Sequence, residues 1–382
     1  MIKTLLIAYQ IAPYRIPVYN TIDASEEIDL TVWFLEEKEG NREWNIDYEE
    51  MRFRYTCLRG FHWFIRRMDF GLHINPGIFF KLVRANPDVI ITTSYDAIAF
   101  WESLIYAKLF RKKFVVWWGS TLESSRVRNR LMHAVRGLFF RSADAFVTYG
   151  SDSARCLTHY GIPEEKMAVG FNTVDVRYYY RKSAGLPKPK NDGQLNLLFI
   201  GQLIKRKGLE ETLLSLARLN RPSGWRLSIV GTGPDERKLR ELVHEHGMDD
   251  KVFFEGYKQK EELTAYLTAA DCLLVPSLIE VWGLVVNEAL VSGTFVLASK
   301  YAGVTSDLIV DKENGIIADP LDPDSMDAAL GWLFDNVAYL KSNRKIKLSQ
   351  WKKLHPRTYA NSVVRAIRLA TRAGREPISS EV

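Results

Sequence analysis

Two carboxylates stand eight positions apart in the apolar stretch SLIEVWGLVVNEAL, residues 277–290. Glu280 follows a β-type run that ends at Ser277, and Glu288 lies about two helical turns further along the chain. A carboxylate accepts two hydrogen bonds from adjacent hydroxyls, which suits a sugar or a ribose diol, and the amides at a helix start suit phosphate. The structural alternative is that Glu288 forms a helix salt bridge and Glu280 caps the turn.

Glycines end several strand-like runs in the second half of the chain. LLFIGQLIKRKGLE places Gly201 after a strand and Gly208 before a helix, and LSIVGTGPDERKL repeats the arrangement with Gly231 and Gly233. Glycine at a strand's carboxyl end lets a ligand approach the backbone, and the following helix N-terminus favours an anion. These elements predict a nucleotide-binding edge, although a Gly-Pro dipeptide is equally typical of a tight turn. GTGP lacks the third glycine of the dinucleotide fingerprint and is not a P-loop, which disfavours an oxidoreductase or an ATPase.

Short β-type runs alternate with amphipathic stretches in both halves of the 382-residue chain. This alternation predicts parallel βαβ units, and therefore an α/β protein. The Pro-, Gly- and Lys-rich residues 183–195 are typical of a linker. The sequence therefore predicts two doubly wound domains, residues 1–186 and residues 187–355.

Charge is distributed unevenly along the chain, whose net charge is +6. Lys and Arg outnumber Asp and Glu by 16 to 6 over residues 51–150 and by 11 to 2 over residues 341–382, whereas residues 241–340 have 5 against 18. A basic region attracts anionic lipid, nucleic acid or phosphorylated substrates, and charge alone does not choose among them.

Several other site classes find no support in the sequence. The three cysteines are far apart and lack CxxC spacing, so neither a disulfide framework nor a zinc site is expected. The seven histidines form no HExxH motif, and we expect no metal and no other cofactor. No apolar run reaches the roughly 18 residues of a membrane span, so the sequence predicts a cytoplasmic protein.

The stretch SLIEVWGLVVNEALVSGTFVLAS resembles the signature of family 4 glycosyltransferases of the group 1 type. GQLIKRKGLE, VGTGP, FFEGY, AADCLLVPS and ENGIIADPLDPDSMDAAL follow in the order and spacing of that family. The resemblance is specific over residues 196–330, and in the first half it rests on APYRIP, WWGST and GFNTVD. It implies the GT-B fold, in which two Rossmann-like doubly wound domains face a central cleft. It also implies that a helix near residues 356–373 returns to the first domain.

The resemblance assigns roles to residues of both domains. It implies a UDP- or GDP-linked sugar donor held by the second domain and a glycan acceptor held by the first. Arg206 and Lys207 would neutralise the diphosphate, Glu280 would contact the donor sugar, and Glu288 would bind the ribose. The expected backbone contacts to phosphate, sugar and base come from Gly201, Gly231, Gly256, Tyr257, Trp282, Gly283 and Leu284. The implied reaction retains the anomeric configuration and requires no metal.

One departure from the family concerns the end of WWGS. Relatives with this aromatic run commonly continue with histidine, whereas Gly119 is followed here by Ser120. A serine hydroxyl replaces a hydrogen bond but not a cation. Because both glutamates and the basic pair remain, we expect an active enzyme with Ser120 in its site. The alternatives are a sugar-nucleotide epimerase of the same fold, or a noncatalytic glycan- or nucleic-acid-binding module, of which nucleic acid is disfavoured.

Basic and aromatic residues mix in RGFHWFIRRMDFG, residues 59–71. This composition is typical of an interfacial segment, while a core element with a solvated arginine face is the alternative. The hypothesis places Arg15, Trp63, Arg66 and Arg67 on the acceptor or membrane side. With the basic charge of the same half, it predicts a peripheral membrane protein that acts on a lipid-linked glycan in polysaccharide or glycolipid biosynthesis.

Overall fold

The computed structural model describes residues 1–38, 45–65, 70–125, 129–187, 193–221, 223–344 and 348–372. The chain forms two compact units by its internal contacts. The first contains residues 1–172 together with the C-terminal segment from Pro356, and the second contains residues 173–355.

The first unit is built on a parallel sheet of seven strands in the order β3-β2-β1-β6-β7-β8-β9, beside a separate antiparallel hairpin, β4-β5. Its strands are β1 (Ile2–Ala8), β2 (Ile28–Phe34), β3 (Arg54–Cys57), β4 (Phe61–Ile65), β5 (Phe70–Ile74), β6 (Val89–Thr92), β7 (Lys113–Trp118), β8 (Ala145–Thr148) and β9 (Met167–Val169). Its first helices are α1 (Ile16–Asp23), α2 (Ile78–Ala85), α3 (Ile98–Leu109), α4 (Arg130–Arg141) and α5 (Ser151–His159). The central strands are continuous apolar runs because both faces of this sheet are buried.

The second unit is a parallel sheet of six strands in the order β12-β11-β10-β13-β14-β15. Its strands are β10 (Leu195–Ile200), β11 (Trp225–Val230), β12 (Val252–Gly256), β13 (Cys272–Val275), β14 (Phe295–Ser299) and β15 (Gly315–Ala318). Its helices are α6 (Val176–Ala184), α7 (Leu209–Leu219), α8 (Glu236–Glu245), α9 (Lys260–Ala269), α10 (Leu284–Ser292), α11 (Thr305–Leu308), α12 (Pro323–Asp335), α13 (Val337–Ser342) and α14 (Leu348–Leu354). The strand order reverses between β10 and β13, and ligands of open α/β sheets bind outside the carboxyl ends of strands at such a point.

The last helix, α15 (Pro356–Arg372), returns to the first unit. It packs against α1 and the strands β7, β8 and β9, and its apolar face lies in the core cluster on that side of the sheet. Tyr359 is fully buried there and accepts a hydrogen bond from the indole of Trp117 at 2.5 Å. A Cβ added at Gly170 would lie 2.4 Å from the Tyr359 ring, so this glycine permits the close packing of the helix.

The division between the units lies at residues 172–173, whereas the sequence predicts it at residues 186–187. The difference arises because α6 packs against α9 and α10 of the second unit. Ser183 on α6 donates a hydrogen bond to the Ser292 hydroxyl at 3.0 Å, and Thr173 bonds the Leu354 carbonyl. The Pro- and Lys-rich segment thus follows the first helix of the second unit.

The helices within the described ranges include none that is both long and apolar enough to cross a membrane.

Candidate functional site

Two loops meet at the point where the strand order of the second unit reverses. The loop after β10 contains a 3-10 turn, Lys205–Lys207, and the loop after β13 leads to Glu280. The Arg206 carbonyl accepts hydrogen bonds from the amides of Leu278 and Ile279 at 2.9 and 3.3 Å. The backbone of one loop therefore fixes the position of the other.

Gly208 allows the two loops to approach this closely. Its φ is +68°, and an added Cβ would lie 1.9 Å from the Pro276 carbonyl oxygen. A side chain is excluded at this position both by the left-handed backbone and by the opposing loop. Gly208 also precedes α7, the helix whose N-terminus the sequence predicts to favour an anion.

Lys207 and Glu280 form an ion pair across these loops. The Lys207 ammonium donates a hydrogen bond to Oε2 of Glu280, and the two side chains are only 20% and 14% exposed. Burial by itself would raise the pKa of Glu280, but Lys207, Arg206 and the Trp282 amide outweigh it and hold that pKa below its usual range. Glu280 is therefore ionised at neutral pH, beside two cationic side chains.

The segment after Glu280 places its backbone at the start of α10. Glu280 forms a β-bridge with Ala302, and its carbonyl accepts a hydrogen bond from the Gly303 amide at 3.2 Å. Gly283, with φ at +100°, is the N-cap of α10 and has no side chain with which to cap it. Trp282 is buried, and its indole donates to Asn287 at 3.0 Å, so only the backbone of Trp282 remains for its predicted ligand role. Leu284 begins the helix and is half-buried.

Glu288 lies on α10, one turn after the helix begins at Leu284. It lies beside two residues that the sequence does not predict for the site. Burial raises its pKa to about 7, and a hydrogen bond from the Tyr179 hydroxyl and the charge of Lys260 counter this rise in part. Tyr179 comes from α6, and Lys260 begins α9 with its ammonium 4.0 Å from the centroid of the Tyr178 ring. Glu288 thus exchanges a proton near neutral pH, a property that charge and spacing in the sequence do not reveal.

The glycines at the ends of β10 and β11 bring adjacent strands close together. Gly231 has φ at +135°, and a Cβ there would lie 1.9 Å from the Gly201 carbonyl oxygen. The Gly201 amide bonds the Val230 carbonyl at 3.0 Å, and the Gly231 amide bonds that of Gly256 at 2.8 Å. The backbone of the sheet itself therefore requires Gly231. Gly256 has φ at +71° with open space at its Cβ position, and the neighbouring Tyr257 is exposed.

The predicted residues of the first unit fall in three different environments. Ser120 follows the end of β7 and is half-buried. Trp63 on β4 is exposed. Arg66 and Arg67 lie outside the residues that the structure describes.

Arg15, predicted on the acceptor or membrane side, does not lie on an outer surface and so does not itself contact a membrane. The side chain is buried, with its guanidinium 4.7 Å from the ring centroids of both Trp117 and Tyr149. Burial alone would lower the pKa of Arg15, but the surrounding tyrosines, Tyr149 and Tyr359 first, raise it. Arg15 is therefore a buried cation held on aromatic faces near the carboxyl end of β7.

Comparison with known families bears on the second unit. Residues 186–348 match the family model described as "Glycosyl transferases group 1". This segment is a group 1 glycosyltransferase domain. The match covers β10 to β15 and contains both loops of the site.

The curated relatives that the chain matches are named for different activities. The chain is 26% identical over 221 residues to an uncharacterized glycosyltransferase of Methanocaldococcus jannaschii, covering 55% of this chain and 54% of that protein. It is 28% identical over 212 residues to a glycogen synthase of Mycobacterium tuberculosis, covering 55% and 50%. It is 32% identical over 177 residues to a D-inositol 3-phosphate glycosyltransferase of Pseudarthrobacter chlorophenolicus, covering 44% and 42%. The chain spans about half the length of the curated relatives it matches.

Solved structures extend the likeness to nearly the whole chain. Anabaena Alr3699/HepE, crystallised in complex with UDP, superimposes with a TM-score of 0.73 at 15% identity, covering 96% of this chain and all of that one. The lipopolysaccharide outer core galactosyltransferase WaaB, in its apo form, gives a TM-score of 0.70 at 16% identity, covering 96% and 99%. The fold of this chain, with two Rossmann-like domains, is GT-B.

Proposed function

We propose that this protein is a retaining glycosyltransferase that moves a sugar from a nucleoside diphosphate sugar to a glycan acceptor. The observation that carries the proposal is the half-buried Lys207–Glu280 pair, which stands where the strand order reverses in a group 1 glycosyltransferase domain. A sugar diphosphate has anionic phosphates, which a cation can pair with, and hydroxyl groups, which can donate hydrogen bonds to an ionised carboxylate. Lys207 and Glu280 provide these two partners at that edge.

In the proposed reaction, the bond between the sugar's anomeric carbon and the diphosphate oxygen breaks while the acceptor oxygen bonds to the same carbon. The acceptor hydroxyl gives its proton to the leaving phosphate oxygen on the same face, which retains the configuration. Lys207 and Arg206 stabilise the charge that grows on the diphosphate. Glu280 orients the sugar through its hydroxyls, and Glu288 accepts hydrogen bonds from the ribose diol.

UDP is the proposed nucleotide. Its support is the Anabaena structural neighbour, which was crystallised with UDP and with UDP-glucose. A thermal-shift panel of UDP, GDP and ADP at equal concentration tests the choice, since a ligand that binds the folded state more tightly raises the unfolding temperature further. We expect UDP to give the largest rise and Glu288→Ala to reduce it. A larger rise with GDP or ADP would reassign the base, and none with any nucleotide would contradict the donor site.

Incubation of the protein with donor alone distinguishes a transferase from an epimerase of the same fold. UDP-sugar incubated without acceptor should remain unchanged, apart from slow hydrolysis, if transfer is the reaction. Conversion of the donor to a second UDP-sugar under these conditions would identify an epimerase. With a competent acceptor, NMR of the product's anomeric proton reports whether configuration is retained.

Nucleotide affinity should depend on pH through Glu288. The ionised carboxylate accepts the ribose hydrogen bonds, and its pKa is about 7 in the free protein. UDP should therefore bind about tenfold more weakly at about pH 6 than at about pH 8, because the protonated form dominates below the pKa. Calorimetric titrations across this range measure the effect.

Glu288→Gln is the control for that titration, because UDP's own phosphate also changes charge in the same range. The variant should bind UDP more weakly at high pH and should lose the part of the pH dependence that belongs to Glu288. An identical pH profile in both proteins would contradict a contact between Glu288 and the nucleotide. The stability of the ligand-free protein should depend on pH in the opposite direction. Because the pKa of Glu288 is raised in the folded state, the free energy of unfolding should fall as pH rises through about 7. The Gln variant should lack this fall.

A lipid-linked acceptor at an anionic membrane surface is the second part of the proposal. Two packed helices of the first unit, α2 and α3, carry exposed apolar side chains, of which Phe80 is 78% and Leu109 67% exposed. Lys81, Arg84 and Lys108 are exposed on the same helices. Apolar side chains among cations suit shallow insertion into an anionic leaflet, where each basic residue contributes about 1 kcal/mol.

Vesicle flotation tests the membrane surface. The protein should float with vesicles that contain anionic lipid, release in high salt, and float less after Phe80→Ser or Trp63→Ser. Leu321→Ser is a matched control, because Leu321 is 60% exposed but belongs to the second unit. Equal recovery with neutral vesicles, or no recovery at low salt, would favour a soluble acceptor.

A further inference from the structure

The antiparallel hairpin of the first unit brings two histidines face to face. His62 on β4 and His73 on β5 are register partners, and their Nδ1 atoms lie 3.1 Å apart. Glu36, just after β2, places its Oε2 atom 3.5 Å from Nδ1 of His73. One ligand atom from each of the three residues lies within 4.8 Å of the other two.

We infer that Glu36, His62 and His73 bind a divalent transition-metal ion, for which Zn²⁺ has the matching ligand preference. In a tetrahedral zinc site with bonds of about 2.0–2.2 Å, neighbouring ligand atoms lie roughly 3.3–3.5 Å apart. The two separations at His73 are close to that range, one at 3.5 Å and the other slightly below it at 3.1 Å. Two imidazoles with one carboxylate are an established zinc ligand set, and they leave a fourth position for water.

The surrounding structure holds these ligands in place. The Glu36 amide bonds the Tyr9 carbonyl at 2.8 Å, and the Asn75 side chain at the end of the hairpin donates to the Leu35 carbonyl at 2.8 Å. His73 is buried, with its ring 5.3 Å from that of Tyr9. A Cβ at Gly60 would lie 3.0 Å from the His62 ring and 2.5 Å from the Asn75 amide, so glycine leaves the space that both occupy.

Charge at the cluster also favours a cation. Burial lowers the pKa of His73 to about 4 and also lowers that of His62, so both imidazoles are neutral, as metal ligands must be. Burial also raises the pKa of the half-buried Glu36, and a metal ion held by the three side chains would favour its ionised form. This inference revises the sequence prediction that no metal binds. The three ligands are separated by 26 and 11 residues, and only the hairpin register brings them together.

A metal at this cluster would clip the hairpin to the end of β2. Phe61 and Trp63 flank His62 in β4, and because strand side chains alternate in direction they lie on the opposite face. Both are exposed, and their rings stack with centroids 6.4 Å apart. The clip would therefore hold an exposed aromatic surface in a fixed orientation, independently of the donor chemistry of the other unit.

Zinc titration of the tag-free, chelator-stripped full chain tests the inference. We expect about one Zn²⁺ per chain by calorimetry, and intense visible absorption with Co²⁺, which marks a tetrahedral site rather than octahedral surface binding. His62→Ala and Glu36→Gln should each weaken zinc binding about 10- to 100-fold or more and remove the Co²⁺ bands.

The control is His244→Ala, which removes an exposed imidazole 3.3 Å from Asp249 on the other unit and should leave the affinity unchanged. His62 is less buried than His73, so His62→Ala is the variant less prone to misfolding, and thermal unfolding of metal-free protein checks it. Absence of micromolar zinc binding in the wild type would overturn the inference. Wild-type affinity in folded His62→Ala and Glu36→Gln would do the same.

Discussion

Lys207→Ala is expected to lower the rate of sugar transfer by about 10²- to 10³-fold, the usual cost of removing one preorganised charge stabiliser. Lys207 is held against Glu280 on two loops joined by backbone hydrogen bonds, so its ammonium is positioned before the donor arrives. The same substitution should weaken binding of bare UDP by about 1–3 kcal/mol, as for a lost charged hydrogen bond. Steady-state kinetics and calorimetry with UDP measure the two effects separately.

Lys205→Ala is the matched control, because Lys205 occupies the same 3-10 turn but is exposed. Its turnover should stay close to that of the wild type. Glu280→Gln provides the complementary test: it keeps the size of the side chain and removes its charge, so it should depress turnover more than UDP affinity. Similar losses in Lys205→Ala and Lys207→Ala would point to general electrostatics of the basic turn rather than to a bound diphosphate. Unchanged turnover in Lys207→Ala would contradict the proposed role.

The sequence predicts the parallel sheets and the position of the donor loops because both follow from local patterns. Apolar runs of strand length ending in glycine identify the carboxyl edge of a sheet, and β10 and β11 have that form. The basic turn and Glu280 then meet because the strands that carry them are neighbours in the sheet. The ion pair between Lys207 and Glu280 therefore follows from the pairing of β10 with β13. The order of motifs in the sequence is typical of that sheet topology.

Other parts of the site depend on contacts between distant segments. Tyr179 lies in a basic, tyrosine-rich helix next to a predicted linker. No local pattern indicates that this helix packs against α10 and places the Tyr179 hydroxyl beside Glu288. The burial of Arg15 is a second case, since an arginine in a loop is normally solvated, whereas here aromatic rings from β7 and the turn after β8 enclose it. Burial of an ionisable side chain is decided by what packs over it, and spacing alone does not report this.

The largest effect on stability is expected from Asp271→Asn, with a loss of about 3–5 kcal/mol in the free energy of unfolding of the second unit. Asp271 precedes β13 and is fully buried, and its Oδ2 accepts hydrogen bonds from the Asn196 amide at 2.9 Å and from Lys341 at 3.0 Å. Arg344 lies 3.6 Å from the other carboxylate oxygen, and both cationic side chains are less than a tenth exposed. Asparagine keeps the shape of the side chain but removes a negative charge that balances these two buried cations.

Asp335→Ala is the control for that loss, because Asp335 also pairs with an arginine, Arg221 at 3.0 Å, but is 65% exposed. A solvent-exposed pair contributes about 0–1 kcal/mol, so this variant should unfold almost as the wild type does. Adding Lys341→Met to Asp271→Asn should recover part of the loss, since it removes one of the buried charges that the first substitution leaves. Hydrogen exchange of β10 and β13 peptides, followed with urea unfolding, locates the effect in the second unit. Equal stability of Asp271→Asn and Asp335→Ala would mean that water reaches Lys341 and Arg344 and that the cluster contributes no more than a surface pair.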